Sequence, residues 1–162
     1  MFKGSNVALI TPFKNNLLDE EAYVKLIHFH IENGTSGLVP AGTTGESPTL
    51  SHDEHQKVID LCIKESNGKI PVIAGTGSNS TEEAISLTSH AEKAGANGAL
   101  IVTPYYNKPT QEGLYQHYKA INDKCGIPII IYNIPGRSVI DMSVDTMAVS
   151  YTHLTLPTTS CG

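Results

Sequence analysis

The chain has 162 residues, of which 40% are hydrophobic and 17% charged, the balance of a soluble globular domain with one sizeable core. The net charge is −5 and no basic run occurs, which excludes nucleic acid and anionic membrane surfaces as expected partners. No apolar run approaches the roughly 20 residues of a membrane span, and the first residues lack a signal-peptide core. Three cysteines without metal-site or disulfide spacing predict reduced thiols. We therefore expect a cytoplasmic protein that acts on small molecules.

Five apolar runs divide the chain at intervals of about 30 residues, the length of one βα unit. The runs are continuous rather than alternating, which is typical of parallel strands covered on both faces. They occupy residues 6–10, 37–40, 70–74, 98–102 and 127–132.

Helix signals fill the intervals between these runs. A helix follows Asp19 and is expected to end at Asn33-Gly34, which is typical of a left-handed C-cap pair. Residues 51–54 and 80–83 each match a capping box, in which a serine and a glutamate satisfy the first free N–H groups of a helix. A further helix is predicted after Thr110.

Strict β–α alternation allows either a closed barrel or an open, doubly wound sheet. The open sheet normally carries a glycine-rich phosphate loop after its first strand, and residues 10–13 contain no glycine. We therefore expect the α/β class and a (β/α)8 TIM barrel. A complete barrel needs about 250 residues, so the prediction is a barrel truncated to about five βα units.

Two segments are expected along the chain. Residues 1–148 are predicted to form the partial barrel domain. Residues 149–162 are rich in threonine and continue neither the helix expected after Asp141 nor a sixth apolar strand. We interpret this last segment as a non-native tail and exclude it from the fold prediction.

The residues that follow each strand should form the site, because the active site of a βα barrel lies at the carboxyl ends of its strands. Glycines and threonines at 42–46 and 75–77 offer backbone N–H groups and hydroxyls to a small anion such as a carboxylate. Arg137 can grip a second carboxylate through paired hydrogen bonds. His52 and His55 lack a third ligand, so no metal site is expected. The residues alone predict binding of a small acidic metabolite with proton transfer, and leave the reaction open.

Four motifs in order carry a resemblance to the dihydrodipicolinate synthase family, the 4-hydroxy-tetrahydrodipicolinate synthases of lysine biosynthesis by the diaminopimelate pathway. They are GTTGE (42–46), GTGSN (75–79), TPYYNKP (103–109) and YNIPGR (132–137), and the resemblance runs from Met1 to about Ala148. It implies a lyase of the Schiff-base aldolase type that condenses pyruvate with L-aspartate 4-semialdehyde through a lysine Schiff base. It also implies no metal or other cofactor and a homo-oligomer of two or four subunits.

The resemblance assigns roles to five positions. Tyr132 would donate and accept the proton, hydrogen-bonded to Thr43 and to Tyr106, the latter reaching in from a neighbouring subunit. Thr44, with its backbone amide, would hold the pyruvate carboxylate. Arg137 would hold the carboxylate of the semialdehyde.

A regulatory site is also implied, because some members of the family bind lysine as an inhibitor at a subunit interface. Its matching positions here have residue types suited to a zwitterion, with a carboxylate for the ammonium group and hydrogen-bonding groups around it. They are Ser47, His52, His55, Asn79, Glu83 and Tyr105.

The family's Schiff-base lysine follows a sixth strand that this chain does not contain, so the resemblance implies that the chain by itself is inactive. Only Lys14 and Lys108 are expected in loops on the catalytic side. Two alternatives stay open: an N-acetylneuraminate lyase or ketodeoxy sugar acid aldolase of the same superfamily, and a noncatalytic fragment. Arg137 and the second threonine of GTTGE favour the synthase over the sugar acid aldolases.

Overall fold

The computed structural model describes residues 2–154 and is a mixed α/β structure. Five strands coincide with the five apolar runs, and a two-stranded hairpin follows the first of them. The strands are β1 Asn6–Ala8, β2 Phe13–Lys14, β3 Leu17–Leu18, β4 Gly37–Val39, β5 Ile73–Gly75, β6 Gly98–Val102 and β7 Ile129–Tyr132. The expected helices are confirmed as α1 Glu20–Glu32, α2 His52–Ser66, α3 Thr81–Ala94, α4 Gln111–Lys124 and α6 Val144–His153, with a short α5 at Pro135–Ser138.

The five strands outside the β2–β3 hairpin are all parallel and lie side by side in chain order. β1 pairs with β4, and β6 pairs with both β5 and β7. A bridge between Leu38 and Val72 joins the two groups, and the N–H of Gly75 donates to the carbonyl of Pro40 at 2.9 Å. In a doubly wound sheet the order of the strands reverses at a switch point, whereas the strand order here follows the chain without a reversal. The order is the one that a closed barrel requires, and five βα units of it are present.

The sheet is apolar on both faces, as the continuous runs predicted. Helices cover one face: α1 to α3 pack over a cluster that includes Tyr23, Leu38 and Ile59, and α3, α4 and α6 pack over a second cluster. A small cluster on the sheet comprises Val39, Ile73 and Ile130, with Phe2 packed against it. None of the described helices is both long and apolar enough to cross a membrane.

Two of the predicted helix caps differ from the structure. Ser51 and Glu54 form the complete capping box, but at α3 only the serine half exists, because the Glu83 carboxylate turns away to Ser78 and His52. The Asn33-Gly34 prediction is wrong for Asn33, whose φ is −101°. Gly34 alone adopts the left-handed conformation, with φ +79°.

The expected end of the last helix is also wrong. α6 continues past Ala148 to His153, with Ser150 fully buried and Leu154 packed in the core. Burial of these side chains explains the continuation, because packing of one face stabilises a short helix more than local propensity does. That residues 149–162 are non-native stays a prediction, and residues 155–162 lie outside the described part of the chain.

His117, on α4, gives the fold a pH dependence. Its side chain is buried, with Nδ1 2.9 Å from the Thr81 hydroxyl and Nε2 unpaired within residues 2–154. Burial lowers its pKa to about 4. Since the unfolded chain binds a proton near pH 6.5 and the folded chain does not, the free energy of unfolding should fall by about 2 kcal/mol between pH 7.5 and pH 5.

We expect His117→Gln to remove that part of the pH dependence, measured by urea unfolding of the 162-residue chain at both pH values. His28→Gln changes a half-exposed histidine and serves as the matched control. If the free energy of unfolding of His117→Gln fell between the two pH values as much as that of the unmodified chain, the assignment would be wrong.

Candidate active site

A cleft of about 440 Å³ opens where β4, β5, β6 and β7 end. Because these strands are parallel and in register, the loops that follow them meet at one edge of the sheet. Eight of the predicted site residues line the cleft: Thr43, Ser47, His52, His55, Glu83, Tyr105, Tyr132 and Arg137. The other three, Thr44, Asn79 and Tyr106, do not line it.

The GTTGE segment folds as a single 3₁₀ turn, Thr43–Gly45. The N–H of Gly45 is used within the turn, where it donates to the Gly42 carbonyl at 3.0 Å. The N–H groups of Thr43 and Thr44 have no hydrogen-bond partner among residues 2–154. The buried hydroxyl of Thr11 donates to the Gly45 carbonyl at 2.7 Å and ties the turn to the end of β1. The turn therefore presents two free amide donors from a fixed position.

Gly75 allows this turn to lie directly against the end of β5. A Cβ atom at Gly75 would lie 2.3 Å from the Ala41 carbonyl oxygen and 2.9 Å from the Gly42 nitrogen. Gly77 is equally restricted, because its Cβ would lie 2.5 Å from the Val102 nitrogen. Only glycine permits backbone approaches this close. The GTGSN motif is thus built into the base of the cleft.

Tyr132 and Arg137 come from the last strand and the short helix after it. Tyr132 ends β7, is half-buried, and pairs in register with Val102. Arg137 lies exposed on α5 and forms no ion pair with any residue in the described range. The cleft therefore has a phenol on its wall and an uncompensated cation at its edge.

Tyr106 points away from this cleft. Its side chain is 89% exposed and its backbone φ is +70°, an uncommon conformation for a bulky residue. The loop is held on both sides, since the Asn107 N–H donates to the Tyr105 carbonyl and the Asn107 side chain donates to the Asn79 carbonyl at 2.9 Å. No contact between Tyr106 and Tyr132 is made within the described chain.

Two of the proposed effector residues, His52 and Glu83, are in direct contact. The Glu83 carboxylate accepts a hydrogen bond from Ser78 and lies 2.7 Å from Nε2 of His52. These interactions, the Ser78 hydrogen bond first, hold the pKa of Glu83 below its ordinary value. Burial lowers the pKa of His55, and the nearby Gly75 backbone offsets part of that lowering. Neither ring nitrogen of His55 has a hydrogen-bond partner among the described residues.

Sequence reasoning missed the apolar wall of the cleft. Leu100 and Val102 lie two residues apart on β6, so both side chains point to the same face, and Leu87 of α3 joins them. The period-2 spacing was the available signal. It was hidden because the whole strand is apolar and therefore shows no alternation.

The chain is similar to one family model and to proteins of known name. The model of the Dihydrodipicolinate synthetase family matches residues 1–154. The 4-hydroxy-tetrahydrodipicolinate synthase of Pelagibacter ubique is 91% identical over 148 residues, which is 91% of this chain and 50% of that relative. The chain spans about half the length of the curated relatives it matches.

Two solved structures are similar over the same region. Dihydrodipicolinate synthase from Acinetobacter baumannii, complexed with pyruvate, has a TM-score of 0.93 and 51% identity, covering 98% of this chain and 56% of that one. The Cyanidioschyzon merolae enzyme with lysine bound has a TM-score of 0.90 and 40% identity, covering 94% and 53%.

The close approach at Gly75 predicts a sharp sensitivity to substitution. Gly75→Ala places its methyl group against the Ala41 backbone, and we expect the free energy of unfolding to fall by about 1–3 kcal/mol. Gly136→Ala is the matched control, because its Cβ would meet no atom within 4 Å. Urea unfolding of both variants checks the prediction, and equal stability would show that the base of the cleft is loosely packed.

Proposed function

Because this chain belongs to the dihydrodipicolinate synthetase family, we propose that it supplies the N-terminal part of a (β/α)8-barrel lyase. The reaction is the condensation of pyruvate with L-aspartate 4-semialdehyde, through a lysine Schiff base, to give 4-hydroxy-tetrahydrodipicolinate in lysine biosynthesis. One observation carries the proposal: Thr43, Tyr132 and Arg137 line the same cleft beside the free amides of the GTTGE turn.

Pyruvate binds by its carboxylate at the GTTGE turn. The adjacent N–H groups of Thr43 and Thr44 are free to donate, and successive free backbone N–H groups suit an anion. Thr44 does not line the cleft, and its proposed role rests on its backbone N–H, which has no partner among residues 2–154. The pyruvate complex of the Acinetobacter baumannii relative supports this substrate.

Tyr132 moves the protons. Formation of the Schiff base expels water, so a proton must reach the departing hydroxyl, and the following enamine step removes a proton from the pyruvate methyl group. A phenol both donates and accepts, and Thr43 offers a hydroxyl in the same cleft. Tyr106 of a neighbouring subunit completes the relay in a cytoplasmic homotetramer or dimer. The exposed position of Tyr106 in this chain favours such a contact between subunits.

Arg137 binds the carboxylate of the semialdehyde. Its planar guanidinium forms two parallel hydrogen bonds to a carboxylate, and no intramolecular acid within residues 2–154 competes for it. A site with amides at one end and a guanidinium at the other fits two acidic substrates better than a polyhydroxylated sugar acid.

The nucleophilic amine comes from a part of the parent protein outside this chain. Neither Lys14 nor Lys108 lines the cleft. The 162-residue chain is therefore inactive by itself. This same observation favours a second candidate function, a noncatalytic fragment that binds keto acids without turning them over.

A full-length chimera tests the proposal. Residues 1–148 are joined to the C-terminal half of the Pelagibacter ubique relative and treated with pyruvate and borohydride. We expect a covalent pyruvate adduct on the chimera and none on the 162-residue chain. An adduct on the 162-residue chain would show that the proposed inactivity is wrong. Absence of an adduct on the chimera would favour the noncatalytic fragment.

The role of Tyr132 is checked in the same chimera. Tyr132→Phe should lower kcat by about 10²-fold to 10³-fold, because it removes the proton shuttle while keeping the ring. Tyr115→Phe, on the outer helix α4, is the matched control and should leave kcat unchanged. Steady-state kinetics of the two variants decide, and a normal kcat in Tyr132→Phe would contradict the role.

Lysine inhibition rests on the contacting pair His52 and Glu83. We expect calorimetry of the chimera to detect lysine binding at millimolar concentration, and Glu83→Gln to weaken it at least about tenfold through loss of a charge-assisted bond to the ammonium. Glu82→Gln, one residue earlier on α3, is the control. Absence of heat with the unmodified chimera would remove the regulatory site, which the lysine-bound Cyanidioschyzon merolae structure supports.

A further inference from the structure

The side chain of Arg137 has no anchor of its own. It is exposed, and within the described residues only its backbone is fixed, by an N–H bond to the Ile134 carbonyl at 2.9 Å. A cation on a loose loop loses conformational entropy when it binds a ligand. The position of the guanidinium therefore depends on whatever holds the loop between β7 and α6.

Asn133 closes this loop at its base. Its Nδ2 donates to Oδ1 of Asp141 at 2.7 Å, and its Oδ1 accepts from the Met142 N–H at 3.2 Å. Both bonds join the first residue of the loop to residues eight and nine positions later. A neutral amide can do this because it carries a donor and an acceptor together. We name these two bonds the Asn133 clasp.

The far side of the clasp is itself fixed. Met142 is buried in the core, and Gln111 of α4 donates from Nε2 to the Asp141 carbonyl at 2.8 Å. Oε1 of Gln111 accepts from the Ser143 N–H at 2.9 Å. The clasp thus fastens the loop to a helix that packs against the sheet, rather than to another loop.

A second group stiffens the loop from inside. The buried Ser138 hydroxyl lies 3.0 Å from the carbonyls of both Ile134 and Ile140, and donates its single proton to one of them at a time. Ser138 is the neighbour of Arg137 in α5. The hydrogen bonds at the base and in the interior therefore restrict the positions from which the loop presents the guanidinium.

We propose that Asn133 is a positioning residue for Arg137, and that the Asn133 clasp holds the guanidinium where it meets the carboxylate of the second substrate. The inference rests on the proposed function. Asn133 does not line the cleft, although Tyr132 and Ile134 on either side of it do. Its effect must therefore pass through the loop and not through contact with substrate.

Kinetics of the same chimera test this inference. Asn133→Ala should raise the KM for the semialdehyde by about tenfold or more, since small displacements of a binding group are costly, and leave the KM for pyruvate and the borohydride adduct unchanged. Asn33→Ala is the matched control: it also removes a 2.7 Å hydrogen bond donated by an asparagine side-chain amide, in this case to the Phe29 carbonyl at the end of α1. In an Arg137→Ala background, Asn133→Ala should add no further increase.

A charge-conserving swap separates positioning from simple loss of stability. Asn133→Asp alone sets two carboxylates against each other and should behave like Asn133→Ala. Combining it with Asp141→Asn rebuilds the clasp, because the carboxylate now at position 133 accepts from the amide now at position 141 and from the Met142 N–H. The semialdehyde KM of this double variant should return to normal.

Three outcomes overturn the inference: equal increases in both KM values, additivity with Arg137→Ala, or no rescue by the swap. In each of these cases a raised semialdehyde KM in Arg137→Ala alone leaves the proposed function standing. If Arg137→Ala has no effect by itself, the substrate role of Arg137 fails and the inference fails with it.

Discussion

The site depends on one constraint, the parallel and consecutive pairing of five strands. Each strand ends at the same edge as its neighbours, so loops that are about 30 residues apart in the chain meet around one cleft. Pairing of β4 with β5 brings the GTTGE turn onto Gly75, and pairing of β6 with β7 sets Val102 beside Tyr132. A slip of one residue in any pair would turn these side chains to the opposite face.

Close backbone packing then decides what the cleft offers to a ligand. The glycines at 75 and 77 remove side chains where two strand ends would collide, and Thr11, in the segment after β1, hydrogen-bonds to the GTTGE turn. The turn uses its later N–H groups internally and leaves the first two free. Amide donors fixed in this way attract a carboxylate without reorganisation, because their orientation is set before the ligand arrives.

The charged groups of the cleft fall into two different situations. Glu83 is already held by hydrogen bonds with Ser78 and His52, which makes it a preorganised acceptor near the N-terminal ends of α2 and α3. Arg137 has no such partner in the described chain, and its loop is held instead by neutral groups, Asn133 and Ser138. An arginine left without an internal counter-ion keeps its full attraction for an external carboxylate.

The sequence by itself determined the five parallel strands, the starts of the longer helices and the α/β class, because apolar runs and capping residues act over a few neighbouring positions. It also identified the motif residues of the cleft, since these follow the strand ends directly. Tertiary structure alone decided that the Glu83 carboxylate contacts His52 instead of capping α3, and that Tyr106 is exposed. It also decided that α6 continues to His153 and that Asn133 forms a hydrogen bond with Asp141. Each of these depends on a partner or a burial that arises only when distant segments pack together, and local sequence carries no record of it.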